Sequence, residues 1–102
     1  MLRVKEAREH LVLDFNNTAH WRRELADKYP GDDRNIQAAE ILERLAASVT
    51  DIDDATMDVY AALFDEQPDS ADSELLRRIG FDWHPGSAAE FVSRYIAEHS
   101  GG

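Results

Sequence analysis

The chain reads as an all-α protein, a compact single-domain bundle of five or six short helices. Three observations predict it. Apolar residues recur at three- and four-residue spacing in nearly every segment. No segment carries a strand-like alternation that another could pair with. Proline, glycine and small polar residues fall between the periodic segments. A length of 102 residues suits one domain. Folding at this size buries roughly 65% of the extended chain's surface, enough for a modest core. The absence of cysteine excludes disulfide scaffolds, thiol nucleophiles and Cys-ligated metals, and it suits a reducing compartment. Residues 1–99 are expected to form the domain and 100–102 a frayed tail.

The first segment admits two patterns. Val4, Ala7, Leu11 and Phe15 fit a helix, whereas Leu11, Leu13 and Phe15 fit a short strand. A strand would have no partner, so helix is preferred, either running through Asn16-Asn17 or broken there. Trp21, Leu25 and Tyr29 continue helical spacing from Thr18 until Pro30-Gly31 stops it. Asp32 or Asp33 is placed to cap the next helix, Asp33 to Val49, which aligns Ala38, Leu42, Leu45 and Val49. Thr50 or Asp51 is placed to cap a third, Ile52 to Glu66. Its apolar members Ile52, Met57, Val59, Tyr60, Leu63 and Phe64 fall within an arc of about 160°.

Pro68, with Asp69-Ser70, interrupts the chain again, and either of the latter suits the start of a short helix. That helix ends at Gly80, expected to be left-handed, with Phe81 placed for an apolar contact with Leu76. Arg77 and Arg78 lie in its last turn, where cations suit the helix dipole. Ser87-Ala88-Ala89-Glu90 is a capping box. It opens a last helix whose stripe is Ala88, Phe91, Val92, Tyr95 and Ile96.

Charge narrows the range of partners. The formal net charge of −10 argues against nucleic acid and anionic lipid. No apolar run approaches the ~18 residues that span a bilayer. The charged start, with Arg3, Lys5, Glu6, Arg8 and Glu9, resembles neither a secretory signal nor a transit peptide, so a cytoplasmic location is expected. Charge is also uneven. Residues 51–74 carry nine acids (Asp51, Asp53, Asp54, Asp58, Asp65, Glu66, Asp69, Asp72, Glu74) and no lysine or arginine. Asp51, Asp54, Asp58 and Asp65 fall within about 60° of one another at helical spacing. They read either as a solvated face or as a docking face for a basic protein partner. Like charges on successive turns cost a few tenths of a kcal/mol per pair, which invites a search for what the stripe gains. A calcium loop starting at Asp51 fails at Ala55, Thr56 and Ala62.

The second unusual stretch gathers Asn16, Asn17, His20, Trp21, Arg22 and Arg23, joined in sequence by Arg34 and Asn35. The bland reading makes Asn16 or Asn17 a helix cap, with Trp21 in the core. The functional one is a small-ligand or anion pocket, with the arginines as charge-assisted donors and the amides orienting the ligand. A partner surface anchored by Trp21 and an arginine is a third. His10 with Asp14 and His20 with Glu24 share i,i+4 spacing, but two ligands make no metal site, and neither metal nor cofactor is expected. The aromatics Phe81 and Trp83 in a turn suit the plugged end of a helical core. No phosphate loop, nucleophile elbow, kinase motif or zinc-protease motif is present. The expectation is therefore a non-enzymatic interaction or regulatory module using the acidic face 51–74. The alternative is a ligand-binding domain, catalytic or not, using the 16–35 cluster. A homodimer completing its core across a two-fold axis is also open.

Overall fold

A computed structural model of the chain describes residues 3–66 and 71–99. The expected break at Pro68, the helix start at Asp69 or Ser70 and the tail 100–102 lie outside them. The described residues form five α-helices and no strand: α1 (Val4–Lys28), α2 (Arg34–Ser48), α3 (Asp54–Glu66), α4 (Ala71–Arg78) and α5 (Ala88–His99). A 3₁₀ turn, Val49–Asp51, links α2 towards α3. The all-α bundle is the architecture its periodicity predicts.

α1 is a single 25-residue helix. At about 1.5 Å per residue it runs nearly the whole long axis of the molecule, which measures 41 Å. Ala7, Leu11, Phe15, Ala19, Arg22 and Ala26 form its buried stripe. Asn16 and Asn17 lie on the opposite, exposed side and do not interrupt it. They cap nothing, so the helix start expected near Thr18 does not exist. An asparagine facing water costs a helix only a fraction of a kcal/mol, too little to break one anchored by Phe15 and Ala19. α2 packs back along α1 in the largest interface of the fold. Ala38 and Ala39, both fully buried, allow a close approach. At its entry the Arg34 N–H donates to Asp32 Oδ1 at 3.1 Å. Asp33, though it precedes the helix, makes no side-chain cap.

The third helix starts later than its spacing predicts. Ile52 is extended, with ψ 132°, and buried. Arg8 reaches over from α1 and donates to the carbonyls of Val49 (2.8 Å) and Ile52 (2.6 Å). Held there, the chain starts α3 at Asp54. The cap is Asp53, whose carboxylate accepts from the Thr56 N–H at 3.3 Å and from the Thr56 hydroxyl. Thr50 and Asp51 cap nothing. Val59, expected in the apolar arc, is 45% exposed. It stands at the edge of that arc, about 160° from Met57 at helical spacing. The buried face of α3 is instead Met57, Tyr60 and Ala61.

Aromatic rings knit α5 to the other helices. Phe91 meets Phe15 edge-on at 5.0 Å and stacks on Trp83 at 5.8 Å. Tyr95 meets Tyr60 edge-on at 4.9 Å. Such pairs add about 0.5–1.5 kcal/mol each beyond their buried area. The Ser87 half of the capping box forms, the Glu90 N–H donating to Ser87 Oγ at 3.3 Å, but the Glu90 carboxylate accepts from the Gly86 N–H at 2.9 Å, one residue before the cap. Trp83 is half-buried against the core, the plug its turn suggests.

Gly80 is left-handed, with φ 86°. The hydrogen bonds around it are not those of a Schellman end. The Gly80 N–H donates to the Trp83 carbonyl at 2.8 Å. The N–H groups of Phe81, Asp82 and Trp83 converge on the Arg78 carbonyl at 3.1–3.2 Å. The bare backbone of Gly80 lies against α2, where an added Cβ would sit 2.5 Å from Ala38 Cβ. Among the described residues, no helix is long and apolar enough to cross a membrane.

Candidate functional site

The acidic face is the first candidate. Asp54, Asp58 and Asp65 project from α3, while Asp51 belongs to the preceding 3₁₀ turn. The four-membered stripe is therefore three residues on a helix and one displaced from it, because Ile52 is extended. All four carboxylates are exposed. Asp54 receives Arg8 Nη2 at 2.7 Å. Asp54 is so exposed that this surface pair contributes at most about 1 kcal/mol. Asp51 and Asp58 have no ion pair among the described residues. Asp53 is held below the ordinary carboxylate range, mainly by the Thr56 hydroxyl.

The 16–35 cluster does not gather as a unit. Asn16, Asn17 and His20 face solvent, and His20 Nε2 lies 2.9 Å from Glu24 Oε1. Arg23 forks onto Glu43 of α2, with Nη2 at 2.6 Å and Nε at 3.4 Å. Arg34 forks onto Asp32 at 2.7 and 2.9 Å, which pushes the Asp32 carboxyl down to about 2. Only Trp21, Arg22 and Asn35 converge, with Arg34 at their edge.

Arg22 is the centre of that convergence, and it is only 6% exposed. Its Nη1 donates to Asn35 Oδ1 at 3.3 Å and its Nη2 to the Arg77 carbonyl at 2.8 Å. Its guanidinium carbon lies 4.5 Å from the Trp21 ring centre and 4.4 Å from that of Phe81. Arg34 approaches the same Phe81 ring at 5.1 Å. Among the described residues no carboxylate lies within ion-pair distance of Arg22. Burial, and then the charge of Arg77, lower its pKa, yet an arginine stays charged under any folding condition. The cation is stabilised instead by two π faces and by the electron-rich C-terminus of α4. Arg22 thus joins α1, α2 and α4, and two of its nitrogens are already committed.

Two concavities accompany these clusters. A cavity of about 180 Å³ is lined by Thr18, Trp21, Leu76 and Arg77. A larger groove of about 580 Å³ lies between the outer face of α1 and the 3₁₀ turn. Lys5, Arg8, Glu9, Val12, Leu13, Val49 and Thr50 line it, and its exposed surface is almost wholly apolar. Leu13 is 61% exposed. Helical spacing marks neither Arg8 nor this groove. The signal available for the groove was Leu13, an apolar residue off the Ala7–Leu11–Phe15 stripe. No group of three or more metal-ligating side chains occurs among the described residues. No family model, curated protein or solved structure matches the chain.

Proposed function

We propose that the domain is an interaction module that captures a basic partner on its acidic face, the 3₁₀ turn and α3, through Asp51, Asp54, Asp58 and Asp65. One observation carries this reading. A stretch of nine acids without a base presents Asp51 and Asp58 to solvent with no ion pair among the described residues. Within this face, among the described residues, Arg8 pairs with Asp54 alone, while Arg22 lies inside the fold, Arg23 pairs with Glu43 and Arg34 with Asp32. Unneutralised like charges repel, and a cationic surface relieves that repulsion while steering its own approach.

The test is a titration with a lysine-rich peptide, followed by amide chemical shifts. Shifts confined to 51–65, abolished in Asp51→Lys with Asp58→Lys and weakened by salt, support the reading. This pair leaves the Arg8–Asp54 contact intact, so the fold should survive, as circular dichroism would confirm. Shifts scattered over every exposed acid would remove it.

A further inference from the structure

The acidic turn and the apolar groove are one continuous surface, and we infer that the groove seats the apolar face of a basic amphipathic helix from another protein. The inference rests on the acidic-face reading and specifies the partner. Geometry joins the two features. Arg8 lines the groove with its stem, while its guanidinium holds the Val49 and Ile52 carbonyls and Asp54. Thr50 lines the groove and Asp51 follows it directly, so residues 51–54 form its rim.

The volume of about 580 Å³ falls within the ~300–1,000 Å³ of ligand pockets, room for several side chains. A helix presenting apolar residues at i, i+3, i+4 and i+7 is the usual occupant of such a groove. Charge selects which helix. Of the two bases on the groove wall, Arg8 is matched by Asp54, and Lys5 has Glu9 one turn further along. Asp51 and Asp53 then remain as the rim's excess, with Asp58 one turn beyond Asp54 on α3. Lysines or arginines flanking the apolar face of the incoming helix would meet them. The same excess disfavours a second copy of this chain, whose net charge is also −10.

Three synthetic peptides test the inference by fluorescence anisotropy: an amphipathic helix with leucines at those positions and flanking lysines, its Leu→Ala form and its Lys→Glu form. The Leu/Lys peptide should bind alone of the three and shift the amides of Val12, Leu13 and Thr50. Leu13→Gln, an exposed site that leaves the core untouched, should weaken it about tenfold, the loss of one leucine's burial. Asp51→Asn with Asp58→Asn should weaken it and flatten its salt dependence. If the aspartate variants weaken binding and Leu13→Gln does not, the groove inference falls and the acidic-face reading stands. If Leu13→Gln weakens binding but neither salt nor the aspartates matter, the acidic-face reading falls and takes the basic occupant with it. If the Leu/Lys peptide does not bind, or light scattering shows a dimer that Leu13→Gln dissolves, the inference is overturned.

Discussion

Arg8 and Arg22 sit on the same helix and do related things in different surroundings. Each reaches across to backbone carbonyls of another element: Arg8 to Val49 and Ile52, Arg22 to Arg77. Arg8 does so at the half-exposed rim of a groove and is neutralised by Asp54. Arg22 does so inside the fold, between two aromatic rings, with no carboxylate beside it among the described residues. The contrast shows that a buried cation here is balanced by carbonyl dipoles and ring faces. Asp51, Asp54, Asp58 and Asp65 stay on the outside of the fold.

The sharpest way to break the Arg22 end is not at Arg22 itself. Gly80→Ala would force a Cβ to within 2.5 Å of Ala38 Cβ, at a φ of 86°. Overpacking costs about 1–3 kcal/mol and the left-handed backbone about 1–2 more. Chemical denaturation should register a loss of about 2–5 kcal/mol. Next comes Arg22→Met, which keeps much of the stem but strands Asn35 and the Arg77 carbonyl. A buried acceptor left without a donor costs about 1–3 kcal/mol. Arg22→Lys should rescue little, since an ammonium lacks the planar fork that spans both partners. Arg8→Met should cost less, about 1 kcal/mol, because water can reach the Arg8 site. Equal losses at Arg8 and Arg22 would erase the contrast between the two ends.

Smaller effects refine the picture. Asn16→Ala with Asn17→Ala should stabilise the protein by about 1 kcal/mol, from helix propensity alone. A loss instead would mean the two amides hold something in the fold. Asp32 gives the pH arm. Its carboxyl is depressed to about 2 by Arg34. A depressed carboxyl stabilises the fold above its unfolded value, near pH ~4, and that contribution fades as pH falls towards ~2. The difference in Tm between wild type and Asp32→Asn should therefore be full at neutral pH and shrink across that window. A difference that stays constant would deny Asp32 the role.

Local features were legible in the sequence and long-range ones were not. The Ser87–Glu90 box, the left-handed Gly80 and the stripes of α1, α2 and α5 depend on neighbours within one or two turns, so spacing alone reveals them. The start of α3 was misplaced because Arg8, more than 40 residues away in sequence, decides it. The 16–35 stretch suggested one site because its polar residues are adjacent in sequence. On a helix, adjacency means divergence: Arg22 turns inward and Asn16, Asn17, His20 and Arg23 turn out. Only Trp21, Arg22 and Asn35 meet, and their meeting depends on Phe81 and Arg77, which no local pattern couples to them. The acidic face was visible as composition, whereas its bend at Ile52 was not.

The uninterrupted length of α1 has a consequence for how the molecule comes apart. α2, α3 and the 3₁₀ turn pack on this one rod, and Arg22 ties α4 to it as well. α3 and α5 also pack on each other through Tyr60 and Tyr95, but α2 loses the largest interface of the fold once the rod frays in the middle. Amide exchange at Leu11, Phe15 and Ala19 should therefore follow whole-molecule opening rather than local breathing, so that the centre of α1 reports the cooperativity of the entire chain.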